Sequence, residues 1–189
     1  MSSAGFSLRP TALPGCVELT LPRSEDTRGR FLKLFHRDAF AAMGLDPGVA
    51  EVFCTTSHRH VIRGLHFQRP PHAHAKLVAC IDGAVQDVAL DLRRDSPGYG
   101  QHIAVELSAD AGNALYLPSG LAHGFCVLSD SATMIYLTTT EHAPEHDAGI
   151  AWDSAGVAWA TDEPTLSARD CAHPRLADFD TPFRFVDEQ

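Results

Sequence analysis

The sequence predicts a mainly β chain, a sandwich or barrel of short strands, on three observations. Apolar and polar residues alternate with period two in one run after another through the middle of the chain. Glycine, proline, asparagine, aspartate and serine cluster between those runs at close spacing. Helical periodicity is scarce. Many short strands separated in this way are the pattern of a closed or double-layered β fold.

The elements follow in order. Residues 1 to about 50 read as an N-terminal arm containing one short helix, RDAFAAMG (Arg37–Gly44), ended by its glycine. The β core runs from about 51 to 140. In DVALDL, Val88, Leu90 and Leu92 share one face, and Asp87, Ala89 and Asp91 share the other. In HIAVEL, Ile103, Val105 and Leu107 share a face; NALYLP, AHGFCVL and ATMIYLTT follow. Turn chemistry separates them at Asp82-Gly83, Asp95-Ser96-Pro97-Gly98, Ala111-Gly112-Asn113, Pro118-Ser119-Gly120 and Ser129-Asp130-Ser131. The segment from about 141 to 189, with Pro164, Pro174 and Pro182, reads as loops plus a short helix near Ser167–Cys171. With 189 residues and no repeat or linker, the chain is expected to form one domain.

Composition narrows the function classes. Hydrophobic residues make up 44%, charged residues 21%, and the net charge is −9. An acidic chain lacks the basic footprint of nonspecific nucleic-acid binding. It can still take an anionic small molecule, because arginines can gather in one cleft. No apolar run approaches the roughly 20 residues of a membrane span. The opening MSSAGFSLRP lacks the charged and apolar regions of a secretory signal. Five scattered cysteines without a CxxC pair read as reduced thiols, so a cytoplasmic protein is expected. Cys80 and Cys126 lie in apolar strand-like runs, where packing is their default role.

The stretch RGLHFQRPPHAHAKLV (Arg63–Val78) carries two competing chemistries. One is a metal site built on His72-x-His74. A local pattern favours it: Gly112, Pro118, Gly120 and His123 form G-x5-P-x-G-x2-H, which resembles the second motif of the cupins. That resemblance implies a double-stranded β-helix, or jelly roll. In metal-binding cupins a glutamate follows the His-x-His pair; here Ala75, Lys76, Leu77 and Val78 follow it. A cation beside a divalent metal is costly and the carboxylate is missing, so PPHAHAK reads as a loop with exposed histidines. A site from His72, His74 and His123 remains the alternative, serving a metal-dependent cupin oxygenase or isomerase.

The other chemistry is proton abstraction beside a ketone. It needs a base near neutral pKa, a cation on the developing enolate oxygen, and an acid to return the proton. Histidine, lysine and tyrosine suit those roles, and a base histidine needs a carboxylate to fix its tautomer. EDTRGRFLKLF (Glu25–Phe35), RGLHFQ (Arg63–Gln68), Lys76, DVALDLRRDSPGYG (Asp87–Gly100), LYLPSGLAHGFCVLSD (Leu115–Asp130), MIYLTT (Met134–Thr139), APEHDAGIAWD (Ala143–Asp153) and LSARD (Leu166–Asp170) resemble the dTDP-4-dehydrorhamnose 3,5-epimerases in order and spacing. The resemblance covers about residues 8 to 185. It implies a cupin-type jelly roll with an N-terminal arm and short C-terminal helices, acting as an isomerase on a nucleotide-diphospho-4-keto-6-deoxyhexose in deoxysugar biosynthesis. It implies that His66 is the base, Asp170 its carboxylate partner, Lys76 the cation near the ketone oxygen and Tyr136 the acid on the opposite face. Arg28 and Arg63 match diphosphate or sugar contacts, and His123, Asp147 and Arg169 match further substrate contacts. It also implies a metal-free and cofactor-free homodimer whose arm, carrying Arg28, reaches into the partner's site. Taken singly, each residue has a plainer reading: Tyr136 and His123 as core, the arginines as surface ion pairs, Asp170 as a cap.

Departures from the family cluster where it grips its nucleotide. Lys33 stands where glutamate is usual, and Glu51 and Phe53 where glutamine and asparagine are usual. A carboxylate at 51 suits the exocyclic amine of cytosine or guanine, which thymine lacks, so a CDP or GDP sugar is an alternative substrate. Glu141 and His142 replace a frequent tyrosine pair near the sugar, leaving inversion at C3, C5 or both open. A noncatalytic sugar-nucleotide binding module is the third class, and it has no need of a base and an acid.

Overall fold

The computed structural model describes residues 5–186. The elements run in the order β1 (Ser7–Pro10), β2 (Val17–Thr20), β3 (Arg23–Asp26), β4 (Gly29–Leu32), α1 (Arg37–Ala42), β5 (Glu51–His58), β6 (Ile62–Gln68), β7 (Lys76–Asp82), β8 (Ala84–Asp91), β9 (His102–Ser108), β10 (Asn113–Leu117), β11 (Leu121–Val127), β12 (Ser131–Thr138) and β13 (Asp147–Gly149). Short 3₁₀ turns follow at Asp170–Ala172 and Leu176–Asp178. None of the described helices is long and apolar enough to cross a membrane.

Two antiparallel sheets face each other as a jelly roll. One has the order β1-β2-β10-β7-β12-β5 and the other β13-β6-β11-β8-β9. β3 and β4 make a separate two-stranded ribbon. Within the first fifty residues, β1 and β2 are therefore knit into the larger sheet through β10, while the ribbon stands apart.

Alternation sorts each strand's side chains. Val78 and Cys80, Val85 and Ala89, Phe125 and Val127, and Met134 and Tyr136 point between the sheets into one core. Leu77, Ala79 and Leu137 point outward, where Phe40 of α1 covers them. Val88, Leu90 and Leu92 also point outward, beneath Ile150, Trp159, Phe179 and Phe183 of the C-terminal segment. The face holding Asp87 is thus the interior one, with the aspartate fully buried.

The five strands read from DVALDL to ATMIYLTT stand as β8 to β12. Helix α1 ends at Ala42, with Gly44 in the left-handed region at φ +74°. The helix expected near Ser167–Cys171 is a single 3₁₀ turn, because Pro174 follows closely. All five cysteines are free, and burial pushes the Cys80 thiol up to about 11.

One irregularity shapes the site. On β11 only Gly124 lies between His123, opposite His66, and Phe125, opposite Arg63; on β6 both Gly64 and Leu65 lie between those partners. Two residues against one is a β-bulge. Two glycines permit it. A Cβ on Gly64 would fall 2.5 Å from Gly124 Cα, and Gly64 has φ +138°.

Candidate active site

A pocket of about 290 Å³ opens at one end of the inter-sheet space, lined from β5, β6, β7, β11, β12 and β13. Residues 63 and 66 would face opposite sides of a regular strand; with the bulge between them, both line this pocket.

His66 Nε2 lies 2.5 Å from Asp170 Oδ1. Asp170 begins the 3₁₀ turn, is 4% exposed, and donates its backbone N–H to Ser167 Oγ. Burial alone would raise its carboxyl, but the hydrogen bond and charge of His66, with Ser167, hold it below the ordinary range. An ionised Asp170 fixes the Nε2–H tautomer of His66 and leaves Nδ1 with its lone pair.

Lys76, the first residue of β7, is buried, with Nζ 3.5 Å from the His66 carbonyl oxygen. Burial lowers its pKa to about 8, opposed by Asp147 and Asp87. Tyr136 lies opposite Phe53 in the β12–β5 pairing, and the two rings stack at 4.7 Å and 10°. Its hydroxyl is 3.4 Å from Thr55 Oγ1. Burial pushes the phenol well above its ordinary value, so it keeps its proton.

His123 is buried, with Nε2 2.8 Å from Asp87 Oδ2. Burial raises the Asp87 carboxyl, and His123 and Lys76 oppose the shift. Arg63 Nε donates to Ser57 Oγ at 2.9 Å. Asp147 and Arg169 pair at 2.7 Å. Glu51 Oε2 accepts the His142 backbone N–H at 2.7 Å.

Nine of the anticipated residues line the pocket: Glu51, Phe53, Arg63, His66, Lys76, His123, Tyr136, Asp147 and Arg169; Asp170 sits behind His66. Arg28 and Lys33 are not among them. Arg28 lies at the tip of the β3–β4 ribbon, paired with Asp26 at 2.6 Å, and Lys33 donates its backbone N–H to Pro22 just after the ribbon.

His72, His74 and His123 do not converge as a metal trio. Among the described residues the single group of close ligand atoms is His66, Asp170 and His173. His72 lies against His146 with ring centroids 4.6 Å apart. The expectation that His74 is merely an exposed loop histidine also fails. It lines the pocket, bonded to Gln68 Nε2 (3.1 Å) and Thr140 Oγ1 (3.2 Å), and burial lowers its pKa to about 3.

Gln68, Thr55 and Asp87 were not anticipated as site residues, whereas His142, expected near the sugar, does line the pocket. Gln68 donates from Nε2 to the His72 and Glu141 carbonyls and accepts the Ala143 N–H on Oε1, joining two loops at the pocket rim. It closes the RGLHFQ motif, which was the available signal. A charge inside an apolar alternating run was the signal for Asp87.

Comparison with known proteins adds independent findings. The family model described as dTDP-4-dehydrorhamnose 3,5-epimerase matches residues 10–178. The dTDP-4-dehydrorhamnose 3,5-epimerase of Shigella flexneri is 39% identical over 158 residues, covering 82% of this chain and 87% of the relative. The dTDP-4-dehydrorhamnose 3-epimerase of Streptomyces niveus is 41% identical over 166 residues, covering 86% and 80%. The crystal structure of a 4-keto-6-deoxy sugar epimerase from the novobiocin biosynthetic gene cluster of Streptomyces spheroides superposes with a TM-score of 0.87 at 39% identity, covering 91% of this chain and 88% of that one.

Proposed function

The chain belongs to the dTDP-4-dehydrorhamnose 3,5-epimerase family, and from that premise we propose how its pocket works on a nucleotide-diphospho-4-keto-6-deoxyhexose. The enzyme is an isomerase of the epimerase class in deoxysugar biosynthesis. The ketone at C4 acidifies the protons on its neighbouring carbons. His66 Nδ1 removes one of them, with Asp170 holding the imidazolium that forms. Negative charge moves to O4, where the Lys76 ammonium stabilises the enolate. Tyr136 returns a proton from the opposite face and inverts the carbon. His66 then loses its proton to solvent and Tyr136 regains one, so the inverted carbon carries a solvent hydrogen. Arg63 and the Asp147–Arg169 pair contact the substrate's polar groups.

The observation that carries this reading is the short His66–Asp170 contact in a pocket shared with Lys76 and Tyr136. It is tested by NMR in deuterated water. Deuterium should enter at C3, C5 or both, and His66→Ala should abolish it. Exchange that survives His66→Ala would sink the assignment of the base. Elemental analysis of the same preparation addresses the metal alternative, which stoichiometric iron, nickel or manganese would revive.

We assign thymidine diphosphate as the nucleotide, following the names of the relatives. Glu51, which suggested cytidine or guanosine, has one oxygen committed to the His142 backbone. Comparative binding of the three nucleoside diphosphates decides it, and a preference for CDP or GDP would reverse it. We also read the protein as a homodimer with arms exchanged. The ribbon with exposed Arg28 and Phe31, and the outermost strand β5 with exposed Val52 and Phe53, are surfaces suited to a second copy. Free thiols fit a reducing cytoplasm.

A further inference from the structure

We propose that His173 is a positioning residue of the proton-transfer site, holding the Asp170 carboxylate against His66 and walling the His66 ring. This rests on the reading of His66 as the base. His173 follows the 3₁₀ turn that Asp170 begins, and its side chain is only 11% exposed. Its ring meets the His66 ring edge to face, with centroids 5.4 Å apart and planes at 75°. Its Nε2 lies 3.7 Å from Asp170 Oδ1, the same oxygen that His66 engages at 2.5 Å.

That nitrogen is buried and has no hydrogen-bond partner among the described residues. A bare lone pair facing a carboxylate is repulsive, so the stable arrangement puts the proton on Nε2. Burial, followed by the charges of His66 and Arg169, holds the His173 pKa below the ordinary histidine range. The ring is therefore a neutral donor aimed at Asp170 and does not compete with His66 for positive charge. At 3.7 Å the contact is longer than a hydrogen bond, and the proposed role requires it to shorten in the substrate complex, as loosely aligned contacts of ligand-free sites do.

Gly149 supports the assignment independently. It pairs with His66 across the β13–β6 ladder. A Cβ there would lie 2.5 Å from Cδ2 and Nε2 of His173 and 2.7 Å from its Cε1, the three nearest atoms. Gly149 does not have the positive φ that would call for glycine. The missing side chain is what admits the His173 ring.

The test is a double-mutant cycle with kcat and KM read separately. In His173→Ala, kcat should fall roughly 10-fold while KM stays within about twofold. His173→Gln, which keeps an amide donor near the Nε2 position, should recover most of the loss. Gly149→Ala displaces the ring without removing it and should reproduce the fall in kcat. In the His173→Ala background, Gly149→Ala should cost nothing further. Unchanged kcat in His173→Ala, no recovery in His173→Gln, or additive losses in the double variant would each overturn the proposal. If His173→Ala does not fold, Gly149→Ala and His173→Gln decide through the same two constants. A dead His66→Ala beside a fully active His173→Ala overturns only the role of His173; a live His66→Ala overturns the base itself.

Discussion

Lys76 and Tyr136 enter the same pocket with their proton affinities pushed apart by the same cause. Burial weakens the hold of the lysine on its proton, to a pKa of about 8, and strengthens that of the phenol. Each is left in the form the proposed mechanism requires at neutral pH, a cation beside an enolate and an intact donor. The sign of the pH dependence follows. Lys76 deprotonates at a lower pH than an ordinary lysine, so kcat/KM should decline as pH rises through about 8. Lys76→Arg, if it retains activity, should remove that limb from the kcat/KM profile, because arginine does not titrate there; an unmoved limb would remove Lys76 from the mechanism. Tyr136→Phe should lower turnover by about 100-fold or more, while proton removal by His66 continues and is read as deuterium uptake into recovered substrate. At this scale the residues tied to a motif were legible, because His66, Lys76, Tyr136 and Asp170 each stand at a recognisable spacing. Asp87 was not. Period-two alternation places it on a face with Ala89 and Asp91 but does not tell which face is interior. His74 was misread because a loop position implies nothing about burial once a buried glutamine reaches it.

Strands β8 to β12 were readable because clear turns bound them and each carries a short apolar run, alternating with polar residues in β8 and β9. β6 was hidden by its own bulge, which breaks the period between Arg63 and His66. β5 was hidden by its composition: EVFCTTSH is an outermost strand in which five of eight residues are exposed, Glu51 and Thr55 are half-buried and Ser57 alone is buried, so no apolar stripe marks it. The crossing of Gly64 and Gly124 makes a sharp prediction at this scale. Gly64→Ala should destabilise the fold by about 2–4 kcal/mol, because a methyl group would press on backbone in a conformation that L residues rarely adopt. Urea unfolding measures it, and a loss under about 0.5 kcal/mol would mean that the strands can separate at little cost. Gln68→Leu should act differently. It removes the bonds joining the two rim loops, so KM should rise more than kcat falls.

Arg28 and Lys33 mark the limit of what one chain's sequence can assign. A motif tells that a residue serves a site, but not whose site it serves. In this chain both lie outside the pocket they were expected to help form. If arms exchange between two copies, Arg28→Ala and His66→Ala damage the same active site from different subunits. Mixed and reassembled, the two inactive variants should regain about a quarter of wild-type activity, since half of the dimers are mixed and each has one intact site. No recovery would show that each subunit supplies its own arm residue, and an Arg28→Ala variant that is active on its own would show that this residue is not needed.

The bulge in β6 also sets a length. Along a regular strand, side chains on one face recur at about 7 or 13 Å, and nothing lies between. One inserted residue gives β6 an intermediate interval, so Arg63 and His66 address the same cavity from positions three residues apart. A strand that has changed parity is a ruler with a graduation ordinary pleating lacks, and under the proposed mechanism the distance from a polar group of the substrate to its reacting carbon is measured on it.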